Sequence, residues 1–230
     1  MKPSNAFRIR LGVLAFPISG LLAALGALAP GIDVNPAVDP AGFARVANLV
    51  GLANLLGLVV FVFLLFGFQA LYAFLSSDSV ERWAFLGMVL SIAGGALFMS
   101  FLGIFAFAAP VAGRLYLNGQ GYGISVIAEA TSVSNLPAFI VGAFSLFSYS
   151  IGSALFAVAI WRSGKFPKWS AVSYATATPL NATPHYIAPL WLLGGVLLLI
   201  VGVGISRAVW KVSSIQSDSE SKPVVGLDPK

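Results

Sequence analysis

Long apolar runs separated by short polar stretches make up most of this chain. The first uncharged run extends from Leu11 to Gly31, behind Lys2, Arg8 and Arg10. Others cover residues near 46–75, 84–109, 137–160 and 190–209. None alternates with a period of two, which excludes the strands of a membrane β-barrel. Each is close to or beyond the roughly 20 residues that carry a helix across a bilayer. The pattern therefore predicts an all-α fold, a polytopic bundle of transmembrane helices whose backbone groups are satisfied within each span.

Proline, glycine and serine punctuate the runs. Pro17 predicts a kink in the first span. Ala27-Leu28-Ala29 has the small-x-small look of a signal cleavage site. The run before it is longer than an ordinary signal core, and Pro30 follows the cut, so an uncleaved span is expected. Residues 32–44 hold Asp33, Asp39, Pro36 and Pro40 and read as a loop, with Arg45 at the mouth of the second span. That span exceeds what a bilayer needs, and tilt or an interfacial last turn at Gln69 to Phe74 absorbs the excess. In the next connection Ser79 reads as a helix cap and Trp83 as an interfacial anchor. Pro110 closes the third span. Beyond it, Asn118 to Gly123 reads as a loop, and Ile124 to Ser134 as a short interfacial helix with Ile124, Ile127 and Ala128 on one side. The serine-rich tail, 212–230, has no apolar period and is expected to be disordered.

One segment is ambiguous. Residues 169–184 are only moderately apolar, with Thr176, Thr178, Pro179, Asn181, Thr183 and Pro184. Charge decides its reading, because cytoplasmic connections carry the excess of Lys and Arg. The hairpin Trp161-Arg162-Ser163-Gly164-Lys165-Phe166-Pro167-Lys168-Trp169 holds three cations and no anion. If 169–184 crosses, there are six spans, both termini are cytoplasmic, and eleven of the thirteen cations lie inside. Only Arg45 and Arg114 stay outside. With five spans the division becomes seven against six, and the bias nearly vanishes. Six spans are expected, with Trp161, Trp169, Arg162, Lys165 and Lys168 as topology anchors. The threonines of the fifth can bond back to helix carbonyls.

Composition agrees. Of 230 residues, 58% are hydrophobic and 9% charged, against roughly 25% charged in a soluble domain. The formal charge is +5, without the basic cluster that grips nucleic acid. The expected surroundings are the lipid bilayer and other membrane proteins, with no nucleic acid. The absence of cysteine removes disulfides, thiolate catalysis and Cys-ligated metals.

Buried ionisable residues are the default functional signal inside a membrane, and the spans contain essentially none. This lowers the weight of proton-coupled pumps, voltage sensors and metal transporters. His185 is the sole histidine and reads as a turn residue. Glu129 and Arg114 read as solvated loop charges, since acid–base chemistry ordinarily needs two groups with separated pKa values. No Ser-x-x-Lys, His-Glu-x-x-His or Gly-x-Ser-x-Gly set occurs. Gln120-Gly121-Tyr122-Gly123 reads as a glycine turn. Asn181-Ala182-Thr183 matches the glycosylation sequon, which matters only at an exposed secretory position. No catalytic, cofactor-binding or metal-ligating residue is expected.

The remaining candidates are neutral. Asn48, Asn54, Thr176, Thr178 and Asn181 stand at membrane depth, either lining a solute path or holding helices together. Asn48 and Asn54 are six apart and off one another's face. Ser91/Gly95, Ala96/Ser100 and Ser148/Gly152 suit close helix contact. Phe61, Phe63, Phe66, Phe98, Phe101, Phe105 and Phe107 pack between helices or face lipid.

An apolar span ending in Trp-Arg-Ser-Gly, followed by a basic residue, Pro, a second basic residue, Trp and two closing spans, resembles uncharacterised bacterial six-span membrane proteins grouped as domains of unknown function. The matching stretch is Ala159 to Trp169, with the basic end Arg207 to Lys211. The resemblance implies six spans and a bacterial inner-membrane location, and carries over no binding residue. This chain departs from it in the polar fifth span. The expected role is a non-enzymatic accessory or interaction subunit. The alternative is a transporter or channel for a neutral or lipophilic solute, with the fifth span lining the path.

Overall fold

The computed structural model describes residues 3–76, 79–183 and 187–220, with side chains from 6 to 212 within those ranges. Among the described residues the chain is helical throughout, with no strand. The elements are α1 (Pro3–Val13), α2 (Ala15–Ala27), α3 (Pro40–Leu75), α4 (Glu81–Gly103), a π-helical segment (Ile104–Ala108), α5 (Ala109–Leu117), α6 (Tyr122–Ala130), α7 (Leu136–Ser163), α8 (Lys168–Asn181) and α9 (Ala188–Glu220). Five stretches are long and apolar enough to cross a membrane: Ala6–Ala27, Pro40–Leu75, Glu81–Leu117, Leu136–Ser163 and Ala188–Val212. Those five mark a membrane protein built as a helical bundle.

Several boundaries move for local reasons. The first span breaks at Leu14 and ends at Ala27, short of residue 31. α3 starts at Pro40 rather than 46, because the Asp39 carboxylate caps it, accepting from the Gly42 N–H at 2.8 Å. Arg45 therefore sits within the helix. α4 begins at Glu81 with Val80 at the cap position and no side-chain cap, so Ser79 does not serve as one. Pro110 does not close the third span, and the helix runs on to Leu117. A proline ring clashes with the carbonyl four residues earlier, and the wide π turn at 104–108 makes room for it. The short helix expected at 124–134 forms at 122–130, with Ile124 and Ile127 buried. α7 ends on Gly164 in the left-handed conformation, φ +65°. Lys168 then opens α8 behind Pro167.

The fifth segment is shorter than expected. α8 has 14 residues, about 21 Å at 1.5 Å per residue, against a hydrocarbon core of about 30 Å. α9 runs past residue 209 into the stretch expected to be disordered. No Gly or Pro interrupts it between Gly204 and Pro223, so a helix already nucleated propagates. Residues 221–230 lie outside the described residues.

Helices pair where side chains are small. α2 and α9 run antiparallel with backbones in contact: a Cβ on Gly195 would stand 2.6 Å from the Ala24 amide nitrogen, and one on Gly20 would strike the Leu199 nitrogen. α4 and α7 pair in the same way, with Gly94 against Tyr149 and Gly152 against Ser91. Ser145 Oγ donates across that seam to the Gly94 carbonyl at 2.7 Å. Ser91, Gly95, Ser148 and Gly152 are buried as expected, whereas Ala96 and Ser100 are exposed. The larger core joins Phe16, Phe68, Tyr149, Phe156 and Tyr174 in edge and tilted ring contacts. A smaller one gathers Phe43, Phe105, Ile124, Ile127 and Trp191 at the other end.

Trp210 Nε1 donates to the Arg10 carbonyl at 3.3 Å, so the start of the first span and the end of the last lie side by side. The same end holds the α7–α8 hairpin, since Trp169 packs on Gly204. Four cations there rest on rings: Arg10 on Trp210, Arg162 on Trp83, Lys165 on Phe74 and Lys168 on Trp161, at 4.8–5.8 Å from the centroids. The topology anchors thus share one end of the bundle.

Candidate functional site

The site is a consequence of where α8 stops. Pro179 lies in its last turn, and Pro184 follows three residues after Asn181. The residue before a proline is pushed out of the helical region. Ala182 and Thr183 close on the Pro179 and Leu180 carbonyls with tight-turn bonds of 3.0 and 3.3 Å. This end of α8 is level with Gly194, whose Cβ, if present, would stand 2.9 Å from the Asn181 nitrogen. α9 continues from Gly194 back to Ala188 without α8 beside it, and the first half of α7 is likewise uncovered.

A cavity of about 460 Å³ occupies that space, within the range of small-molecule sites. One wall is a stripe on α4 and the π segment: Phe98, Phe101, Leu102 and Phe105. The facing wall, on α7, is built of small residues at Ala138, Gly142 and Ala143. Trp191 and Asn54 close the interior, and Thr131 to Val133 lie at one end. The cavity reaches the side of the bundle, where Phe139 and Phe147 are exposed. Among the described residues its lining contains no charged one.

The polar groups of the lining are mostly occupied. Thr131 Oγ1 donates to the Ile127 carbonyl at 2.9 Å, and Thr183 Oγ1 to the Leu180 carbonyl at 2.7 Å. Ser132 and Ser134 share a bond of 2.7 Å. Asn54 is fully buried, and its Nδ2 donates to the Val50 carbonyl at 2.8 Å. Its Oδ1 has no partner among the described residues.

Of Asn48, Asn54, Thr176, Thr178 and Asn181, only Asn54 lines this cavity. Asn48, on another face of α3, is exposed. Thr176 is exposed on the outer side of α8, in a shallow groove with Ala157 and Ala171. Thr178 and Asn181 are buried. The expected back-bonding occurs: Thr176 Oγ1 donates to Val172, Thr178 Oγ1 to Tyr174 and Asn181 Nδ2 to Ala177, at 2.7–3.0 Å. These residues are thus spread over three environments and do not form one lined path. Burial also keeps the Asn181 sequon from the surface. Glu129 and Arg114 are exposed on α6 and α5. His185, with the Pro184–Tyr186 turn, lies outside the described residues. Among the described residues, no three His, Asp or Glu side chains gather as a metal site requires.

The wall residues were visible in sequence only as packing. Phe98, Phe101, Leu102 and Phe105 follow the i, i+3, i+4, i+7 spacing of one helical face, which reads identically whether it meets a neighbouring helix or a void. Trp191 carried no separate signal.

Comparison with family models, with curated proteins and with solved structures finds no match to this chain.

Proposed function

We propose that this is a multi-pass protein of the bacterial inner membrane that binds a neutral lipophilic small molecule drawn sideways from the bilayer, without catalysing its conversion. The observation that carries the reading is the aromatic-walled cavity left where α8 stops, uncharged among the described residues. Broken helices at membrane depth are tolerated where they line a cavity, and binding sites of membrane carriers are commonly built this way. In this reading α8 makes a sixth pass, and both termini face the cytoplasm. The side-by-side placement of Arg10 and Trp210 supports an even number of passes.

The test is purification in mild detergent followed by native mass spectrometry. A bound lipophilic species is expected on the wild-type protein and not on Ala143→Trp, which fills the cavity. Wild-type protein free of any such species, with none taken up from added lipid extract, would overturn the reading.

An accessory role is the second reading. It is favoured by the outer face of the third span, where Phe85, Leu86 and Val89 are exposed. Cross-linking from Phe85 within membranes tests it: a discrete adduct to one other membrane protein supports it, and adducts to lipid alone sink it.

A further inference from the structure

A second concavity lies further along α7, at the end of the bundle that carries the charged hairpin. It is an open groove of about 470 Å³ between α7 and α8. We infer that this groove holds an anionic phospholipid, its phosphate against Arg162 and Lys168 and the upper part of an acyl chain in the trough below them. The inference is independent of the cavity beside Phe98.

The trough is a product of small side chains. Ala157 on α7 and Ala171 and Ala175 on α8 belong to its lining, and their methyl groups leave open the space that larger residues would fill. Val158 and Val172, also in the lining, are exposed, so the trough opens sideways to lipid. It extends to Thr176, about 12 Å beyond Lys168 at 1.5 Å per residue. Thr176 Oγ1 already donates to the Val172 carbonyl at 3.0 Å, so the deep end suits hydrocarbon.

The mouth is cationic. Arg162 belongs to the lining and rests on the Trp83 ring at 5.8 Å. Lys168 rests at 5.3 Å on the ring of Trp161, another lining residue. Tryptophan marks the headgroup level of a bilayer, so two positive charges are held where phosphates lie. Among the described residues the lining holds no Asp or Glu. Glu81, the acid described at this end of the bundle, accepts from Tyr72 Oη at 3.5 Å. A zwitterionic head would bring an ammonium as well as a phosphate. The lining offers that ammonium no carboxylate, and the rings at the mouth already carry protein cations. A head of net negative charge meets the mouth without that repulsion, as in other basic pockets between spans. A free inorganic anion would use the mouth and leave the trough unfilled.

The experiment compares two lipids with the same chains. Protein is released from nanodiscs of equimolar dioleoylphosphatidylglycerol and dioleoylphosphatidylcholine, and native mass spectrometry reads which lipid it retains. A cation near the membrane surface strengthens binding of an anionic head roughly fivefold, so with two of them the anionic lipid is expected in at least about tenfold excess. In the double variant Arg162→Gln/Lys168→Gln the excess is expected to fall toward parity, and in Arg162→Lys/Lys168→Arg to persist. Ala175→Phe, which fills the trough and leaves both charges, is expected to lower the anionic lipid retained severalfold. Arg45→Gln, at the other end of the bundle, is expected to keep the excess, and inorganic phosphate in solution is expected not to displace the lipid. Equal retention of the two lipids by wild-type protein overturns the inference. An excess that survives the double Gln variant, that Ala175→Phe leaves untouched, or that Arg45→Gln abolishes also overturns it. Displacement by inorganic phosphate overturns it in favour of a free anion at the mouth.

Discussion

Ser206 Oγ on α9 donates to the Val13 carbonyl at 3.1 Å. Val13 stands four residues before Pro17, so its carbonyl is the one whose helical donor the proline removes. Helix bonding resumes when the Ile18 N–H donates to the Leu14 carbonyl at 3.2 Å. The break between α1 and α2 is thus repaired from the last span, and Gly202 leaves room for the proline to approach.

Ser206→Ala should therefore cost about 1 kcal/mol, the net value of a hydrogen bond of this kind in a membrane bundle. The cost should largely disappear in the Pro17→Ala background, where the Val13 carbonyl regains a helical donor. A double-mutant cycle read by denaturation in mixed micelles checks this. Additive losses would mean that the serine does not serve the carbonyl freed by Pro17.

Close approach of α2 and α9 predicts a sharp contrast between two glycines. Gly20→Val forces a side chain into the backbone at Leu199 and should cost roughly 3 kcal/mol or more. Gly103→Ala meets nothing within 4 Å and should be neutral or gain up to about 1 kcal/mol from helix propensity. Thermal unfolding in detergent distinguishes them, and a Gly20→Val protein as stable as wild type would refute the packing.

Gly164 isolates a backbone effect. Nothing lies within 4 Å of a Cβ placed there, yet φ is +65°. Gly164→Ala should lose roughly 1–2 kcal/mol from conformation alone, and Gly164→Asn less, because asparagine tolerates the left-handed region. The order of the two melting temperatures is the measurement.

Threading is open to direct test because the chain has no cysteine. Single cysteines at Ser163 and at Val133 should react with a membrane-impermeant maleimide from opposite faces of the membrane. A cysteine at Arg207 should follow Ser163. Labelling of Ser163 and Arg207 from opposite faces would remove the sixth pass.

Much of this architecture was legible because apolar runs in a bilayer have few alternatives. Residues 46–75 and 137–160 lie within α3 and α7, and the charged hairpin between 161 and 169 is where α7 turns into α8. The errors have particular causes. Pro110 looks like a terminator from one dimension, and only a π turn, which has no composition signature, lets the helix pass it. Asp39-Pro40 reads as loop because its cap matters only once Gly42 folds back upon it. The cavity was the least legible part. Thr176 and Thr178 drew attention as polar residues in an apolar setting, but a hydroxyl that can reach its own helix carbonyl needs no cavity. Asn54 differs from Asn181 only in what surrounds it, and those surroundings depend on the depth at which another helix ends.

The shortness of α8 also bears on how the protein is made. Insertion machinery offers each emerging segment to lipid, and a fourteen-residue helix opening on Lys168 and carrying Thr176, Thr178 and Asn181 in its second half gains little from entering alone. Its buried face meets α9 through Gly194 and Gly204, residues synthesised after it. If α8 makes the proposed sixth pass, the two segments enter as a pair, with α8 waiting near the cytoplasmic surface until the apolar length of α9 has emerged. On that proposal a nascent chain halted just after Asn181 should still present its last helix to the cytosol, and the same chain extended through Trp210 should not.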